Sequence, residues 1–156
     1  MASYYSERKQ EDNVAKINIF NFYNRKVNLP TQKIRTLVKN ILSGEKLNFT
    51  EVNLIFTDDE MIHKINREFL KHDYPTDVIS FELSDELPVQ NKVAEVYISV
   101  ERAIEQSKFY KVHLEIEIAR LVAHGLIHLA GYDDKTTSEK LRMRRKESYY
   151  IKMAGF

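Results

Sequence analysis

The chain has 156 residues, 43% of them hydrophobic and 11% aromatic, which is enough to bury a core as one globular domain. Four Gly and three Pro argue against a fibrous or low-complexity chain, and the absence of cysteine excludes disulfides, thiolate ligands and a cysteine nucleophile. A net charge of +1 selects no polyanionic partner by itself, but seven basic residues stand against two acidic ones between Lys135 and Lys152, so the C-terminal segment is basic.

Residues 1–13 read as a flexible N-terminal lead-in, polar and without the apolar stretch of a secretory signal, ahead of one domain over residues 14–156. No segment reaches the roughly 18 consecutive apolar residues of a membrane helix, so the expectation is a soluble, cytoplasmic protein with no membrane partner. Val14 to Tyr23 alternates partly and predicts a strand, with Ile17, Ile19 and Phe22 available to a core. Pro30 suits a helix first turn, and Ile34, Leu37, Val38, Ile41 and Leu42 follow at helical spacing until Ser43-Gly44 stops the run. Asn48 to Phe56 predicts the next strand. Thr57 followed by Glu60 fits a capping box, opening a helix to about Phe69 with Met61, Ile62, Ile65 and Phe69 on its apolar side.

A turn signal surrounds Pro75, and strands are predicted at Val78 to Leu83 and Val93 to Ser99, joined by a polar loop as a hairpin. Ser99 can cap a helix through about Phe109. His113 to Ala130 is apolar around most of its circumference, which marks a central helix, and Gly131 ends it. A last helix runs from about Thr137 to Met153, with Leu141, Tyr149 and Ile151 as anchors; Tyr149 and Tyr150 read as packing residues. Strands and helices interleave, which places the chain among α/β or α+β folds. The expected class is α+β, with a single mixed sheet packed with helices and a central helix carrying H-x-x-x-H.

The informative segment is HGLIHLAGYDD, His124 to Asp134. His124 and His128 are four residues apart, so both imidazoles leave one helix face and can reach one cation at about 2.0–2.1 Å. Gly131 tolerates the positive φ that would turn the chain back and bring Asp134 to the pair. The spacing H-x-x-x-H-x-x-G-x-x-D matches the ligand spacing of metzincins, with Asp in place of a third His. Asp133 is an alternative carboxylate, read as a cap or supporting hydrogen-bond partner. Three ligands leave a fourth position open, as a catalytic zinc needs. His113, roughly 16 Å along the axis from His124, is too far to join them.

This segment resembles the signature of the YbeY family, bacterial rRNA maturation factors that are metal-dependent, single-strand-specific endoribonucleases. The family pattern, approximately H-G-x-L-H-L-x-G-Y-D-H, differs here only at Ile127 and Asp134. Upstream, INREFLKHDYPTDVISF (Ile65 to Phe81) and AEVYIS (Ala94 to Ser99) resemble further family segments, and Met143 with Glu147 resembles an M-x-x-x-E pair in the last helix. The resemblance implies one Zn2+, or another divalent metal, held by His124, His128 and Asp134. It also implies phosphodiester hydrolysis on single-stranded RNA, with rRNA and ribosomal particles as partners.

Three positions depart from the pattern. Asp134 replaces a histidine ligand, His72 replaces a lysine, and Leu70 stands where the family has an arginine. Arg120, one turn before His124, is the expected catalytic replacement for that cation; an ion pair with Glu117 is its competing role. Thr76, Asp77 and Ser99 match the family but read first as a turn and a helix cap. The C-terminal basic residues are candidate phosphate contacts. A metalloprotease shares the His spacing, but Gly125 occupies the position of its glutamate base. A ribosome-assembly factor with a structural metal is a further alternative, and a non-haem iron oxygenase, which also uses two His and one carboxylate, a remote one.

Overall fold

The computed structural model describes residues 14–23, 26–71, 76–84 and 91–156. The lead-in over residues 1–13, His72, Pro75 and most of the polar loop after Ser84 lie outside these. In chain order the elements are β1 (Lys16–Asn21), α1 (Thr31–Gly44), β2 (Glu51–Thr57), α2 (Asp59–Phe69), β3 (Val78–Ser84), β4 (Lys92–Ser99), α3 (Val100–Tyr110), α4 (Leu114–Leu129) and α5 (Thr137–Met153).

Strand alternation sorts the side chains onto two faces. The sheet has the order β1-β2-β4-β3, with β1 parallel to β2, β2 parallel to β4, and β3 antiparallel to β4. This is the expected mixed sheet of an α+β fold, and the hairpin is present, with Val78 opposite Ile98 and Ser84 opposite Lys92. Val52, Leu54 and Phe56 of β2 and Ala94, Val96 and Ile98 of β4 share the main core with α1 and α4. On the other face Ile79 packs with Ile62 and Ile65 of α2, beside Phe81 and Tyr97.

Helix α4 is central, as its all-round hydrophobicity predicts. Ile118, Leu121, Val122, Leu126 and Ile127 are fully buried, and the helix packs on α1, α3, α5 and the β3–β4 hairpin. It comes so near the hairpin that a Cβ at Gly125 would lie 2.7 Å from Ser80 Oγ and 2.8 Å from Val96 Cγ1. Ser80 Oγ uses the approach to donate to the Gly125 carbonyl at 2.9 Å.

Several sequence expectations need correction. The cap of α2 is Asp58, whose Oδ1 accepts from Met61 N at 2.8 Å, while Thr57 remains in β2, buried and paired with Ser99. Met61 and Phe69 are exposed on α2, and Phe22 is exposed and stacked with Phe20 instead of entering the core. On α5 Ile151 packs against the core and Tyr150 is buried, as expected, but Met143 and Glu147 are the other buried residues, and Leu141 and Tyr149 face outward. Gly44 is the last residue of α1 and acts as a space for Tyr150: a Cβ there would fall on the Tyr150 hydroxyl, and the chain turns two residues later at Lys46, φ 54°.

Gly125→Ala should therefore lower stability by about 1–3 kcal/mol through overpacking. Urea denaturation would register this as a lower midpoint with unchanged slope, and an unchanged midpoint would mean that α4 can shift off the hairpin.

Candidate metal centre

Helix α4 and the turn after it bring three donors together. His124 and His128 extend from successive turns, and Gly131, at φ 97°, reverses the chain so that Asp134 comes back beside them. His124 Nε2 is 2.9 Å from His128 Nε2, and Asp134 Oδ2 is 3.2 Å from the first and 3.5 Å from the second. A zinc ion with ligands at about 2.0–2.2 Å subtends donor–donor edges of roughly 3.3–3.6 Å in a tetrahedron. The three edges are close to that size, with the histidine pair drawn nearer. Among the described residues these three form a group that could hold a metal ion; Asp133 is not in it.

The other ring nitrogens determine what these donors are. His128 Nδ1 is 2.8 Å from the Tyr132 carbonyl oxygen, which can only accept, and His124 Nδ1 is 3.2 Å from Glu147 Oε2. Both Nδ1 atoms are thus assigned as N–H, which leaves each Nε2 turned toward the other ring and toward the carboxylate. With the far ring nitrogens held by a carbonyl and a carboxylate, the near ones converge with Asp134, which is the arrangement metal-binding histidines adopt.

The turn itself is pinned from α5. Lys146 Nζ lies 4.4 Å from the centre of the Tyr132 ring and 2.6 Å from Glu45 Oε1. Burial works against the Lys146 charge, but hydrogen bonds to Glu45 and Tyr132 outweigh it and raise its pKa. Immediately after Asp134, the Lys135 and Thr136 amides both donate to Glu139, and Thr136 Oγ1 accepts from Glu139 N, completing a capping box.

Behind the histidines is a buried ionic cluster. Arg120 donates to Glu117 through Nε at 3.0 Å and Nη2 at 2.6 Å, and to Gln106 at 3.2 Å. Its Nη1 is 3.5 Å from Glu147 Oε1, and Asp77 is 4.0 Å from Nη2. Burial opposes the guanidinium charge, but Glu117 first, then Glu147 and Asp77, hold its pKa above the ordinary arginine value. The Glu117 ion pair is therefore present, and Arg120 meets His124 through Glu147. One cation among three carboxylates leaves net negative charge beside the donor group, which suits a divalent ion.

The remaining candidates divide. Ser99 caps α3, accepting from Arg102 N at 3.3 Å. Asp77 accepts from Gln106 and its carbonyl accepts from Ser99 N, so the turn is structural and also touches the ionic cluster. Leu70 is the C-cap of α2, and His113 is the N-cap of α4. Sequence reasoning gave no role in the site to Glu147 or the Tyr132 carbonyl. The available signal for Glu147 was its place in the 143, 147, 150 face of α5, where a charge sits at a buried phase. A concavity of about 1040 Å³ beside Leu42, Phe49 and Lys92 contains none of the three donors.

Two histidines from a central helix and a carboxylate from the following turn give a candidate mononuclear metal site in an α+β domain. Residues 19–155 match the family model described as endoribonuclease YbeY. The endoribonuclease YbeY of Cytophaga hutchinsonii is 40% identical over 125 residues, 80% of this chain and 85% of the relative. That of Flavobacterium johnsoniae is 41% identical over 114 residues, 72% and 79% of the two chains. A Thermotoga maritima protein solved in solution shares the fold, with a TM-score of 0.56 and 24% identity over 88% of each chain. The chain belongs to the YbeY endoribonuclease family.

If Glu147 orients His124 for a metal, Glu147→Ala should weaken zinc binding about 10–100-fold, and Asp134→Ala should weaken it more. Competition with a chromogenic chelator measures both. Equal affinity in Glu147→Ala and wild type would remove Glu147 from the site.

Proposed function

We propose that this chain is a metal-dependent, single-strand-specific endoribonuclease acting in rRNA maturation and ribosome quality control. Its working unit is residues 14–156 as one domain, and its partners are ribosomal particles in the cytoplasm. The observation that carries the reading is the meeting of His124 Nε2, His128 Nε2 and Asp134 Oδ2 in a member of an endoribonuclease family.

Two neutral imidazoles and a carboxylate suit zinc, and other divalent ions of similar preference. Such an ion supplies a Lewis acid for a phosphoryl oxygen and lowers the pKa of a coordinated water toward about 7. The chain's own residues do the rest. Tyr132 and Glu147 fix both imidazole tautomers, so the Nε2 lone pairs need no rearrangement before use. Arg120 acts through Glu147, holding the carboxylate that holds His124, and its positive charge offsets part of the acid excess. It is a positioning residue in this scheme, taking the place we assign to the arginine missing at Leu70. His124 is 16% and His128 30% exposed at the side chain, so both stay within reach of a substrate from solvent. On α5, exposed Arg142, Arg144 and Arg145 offer charge to the phosphates of an RNA substrate.

Peptide hydrolysis fits less well. A zinc protease would place a glutamate at position 125, and that space is filled by Ser80 and Val96. No described helix is long and apolar enough to cross a membrane.

The purified protein should cut an unstructured RNA oligomer and spare the same sequence in a duplex. Chelation should stop cleavage and zinc restore it, and His124→Ala should reduce the rate by more than the roughly 100-fold that loss of a supporting group removes. Arg120→Ala should lower kcat about tenfold. Unchanged cleavage in that variant would remove its role, and zinc-dependent digestion of an unstructured protein, lost in His124→Ala, would overturn the nuclease assignment.

A further inference from the structure

Apolar side chains scattered singly over a surface need no explanation, but contiguous ones do. At the end of α3, Phe109 is 80% exposed, Tyr110 46%, and Val112 just beyond them 37%. None of the three takes part in either core cluster. The two rings meet edge to face, with centroids 5.2 Å apart and planes at 81°, so each steadies the other while Phe109 stays open to solvent. Arg144 reaches across from α5 and lays its guanidinium over Tyr110, 5.7 Å from the ring centre. Three planar groups thus stand one against the next, and the row ends on the freest ring.

The charge around the rings is positive. Residues 108–113 read KFYKVH, and both lysines are exposed. The nearest acids in sequence, Glu105 and Glu115, stand outside this run. The patch also adjoins the donor group. Tyr110 and Arg144 share one depression with Ile116 and Arg120, and Arg120 precedes His124 by one turn of α4. Ile116 and His124 are about 12 Å apart along the helix axis. At the roughly 3.4 Å rise of a stacked strand, RNA lying at the donors reaches the rings within about three to four nucleotides.

We infer that Phe109, backed by Tyr110 and Arg144, is a base-stacking platform for single-stranded RNA and sets the preference for single strands over duplex. The inference rests on the ribonuclease reading above. One unpaired base lies flat on Phe109, and the neighbouring phosphates meet Lys108 and Lys111. Every base has a π-face, so the platform is indifferent to sequence. A duplex keeps its base faces stacked on one another, while its phosphates still attract the lysines. The rings therefore add affinity to the single strand alone.

The chain has no tryptophan, so Phe109→Trp installs a single indole fluorophore on the platform. The zinc-loaded full chain is titrated with an oligouridylate of about twelve residues, 2′-O-methylated against cleavage, a length within the usual span of single-strand sites. An abasic strand of equal length and the duplex with its complement are titrated beside it. Wild type should bind the base-bearing strand about tenfold tighter than the abasic one, the worth of one stacked base. Phe109→Ala should remove that advantage and leave duplex binding and zinc content unchanged. It should also raise KM for an unmodified strand about tenfold without moving kcat. Phe109→Trp should keep the affinity, with its fluorescence quenched by the base-bearing strand and not by the abasic one. Equal binding of the two strands by wild type, or Phe109→Ala binding as tightly as wild type, would overturn the platform and leave the aromatic pair to a protein partner. Cleavage with KM unmoved in Phe109→Ala sinks the platform and spares the nuclease. Base-dependent binding as described, with no strand cut, sinks the nuclease and spares the platform.

Discussion

At Gly125 the backbone of α4 lies against β3 and β4 so closely that one added carbon would meet Ser80 Oγ at 2.7 Å and Val96 Cγ1 at 2.8 Å. The contact fixes the height of the helix above the sheet and, through Ser80 donating to the Gly125 carbonyl, its rotation. His124 is the preceding residue and His128 is one turn further, so both imidazoles inherit their direction from it. With α4 seated there, α1, α3 and α5 pack around its remaining sides, and the buried aliphatic residues on those sides follow from the central position.

The polar stripe of α4 creates the opposite demand. Glu117, Arg120 and His124 face a groove shared with Glu147 of α5 and Asp77 before β3, where two carboxylates are almost fully buried. Buried charges are tolerable only when paired, and a single guanidinium serves both glutamates. The pairing does not neutralise the neighbourhood, and Asp134 adds a further negative group. The site is thus built with a surplus of donors and acidity, which hydrophobic packing elsewhere must offset.

Much of this was legible in the residues. The long apolar run over 113–130, the glycine after it and the His–His–Asp spacing were enough to place the central helix and the three donors. The hairpin followed from two alternating runs. What failed did so for physical reasons. Thr57 and Asp58 are both good caps, and sheet pairing with Ser99 decided between them. Leu141 and Tyr149 looked like anchors because they are apolar, whereas the buried phase of α5 is Met143, Glu147 and Tyr150. A glutamate at a core position reads as solvent-facing until Arg120 and His124 are known to lie opposite it. The Tyr132 carbonyl is invisible to side-chain reasoning altogether.

The capped start of α5 has a further consequence. Asp134 lies in the turn between α4 and the capped start of α5, where residues 135–139 hold one another, and Glu147 and Lys146 lie on that second helix a few turns on. All three donors, and the groups that hold their ring nitrogens, therefore belong to one helical hairpin of contiguous sequence, while the sheet provides only its seat. The loop that must close to assemble the site is about ten residues long, so its ordering entropy is small and its contacts are local. Chemistry of this kind is modular: the hairpin can take shape early in folding, and the strands can diverge in sequence provided they keep a flat place for Gly125.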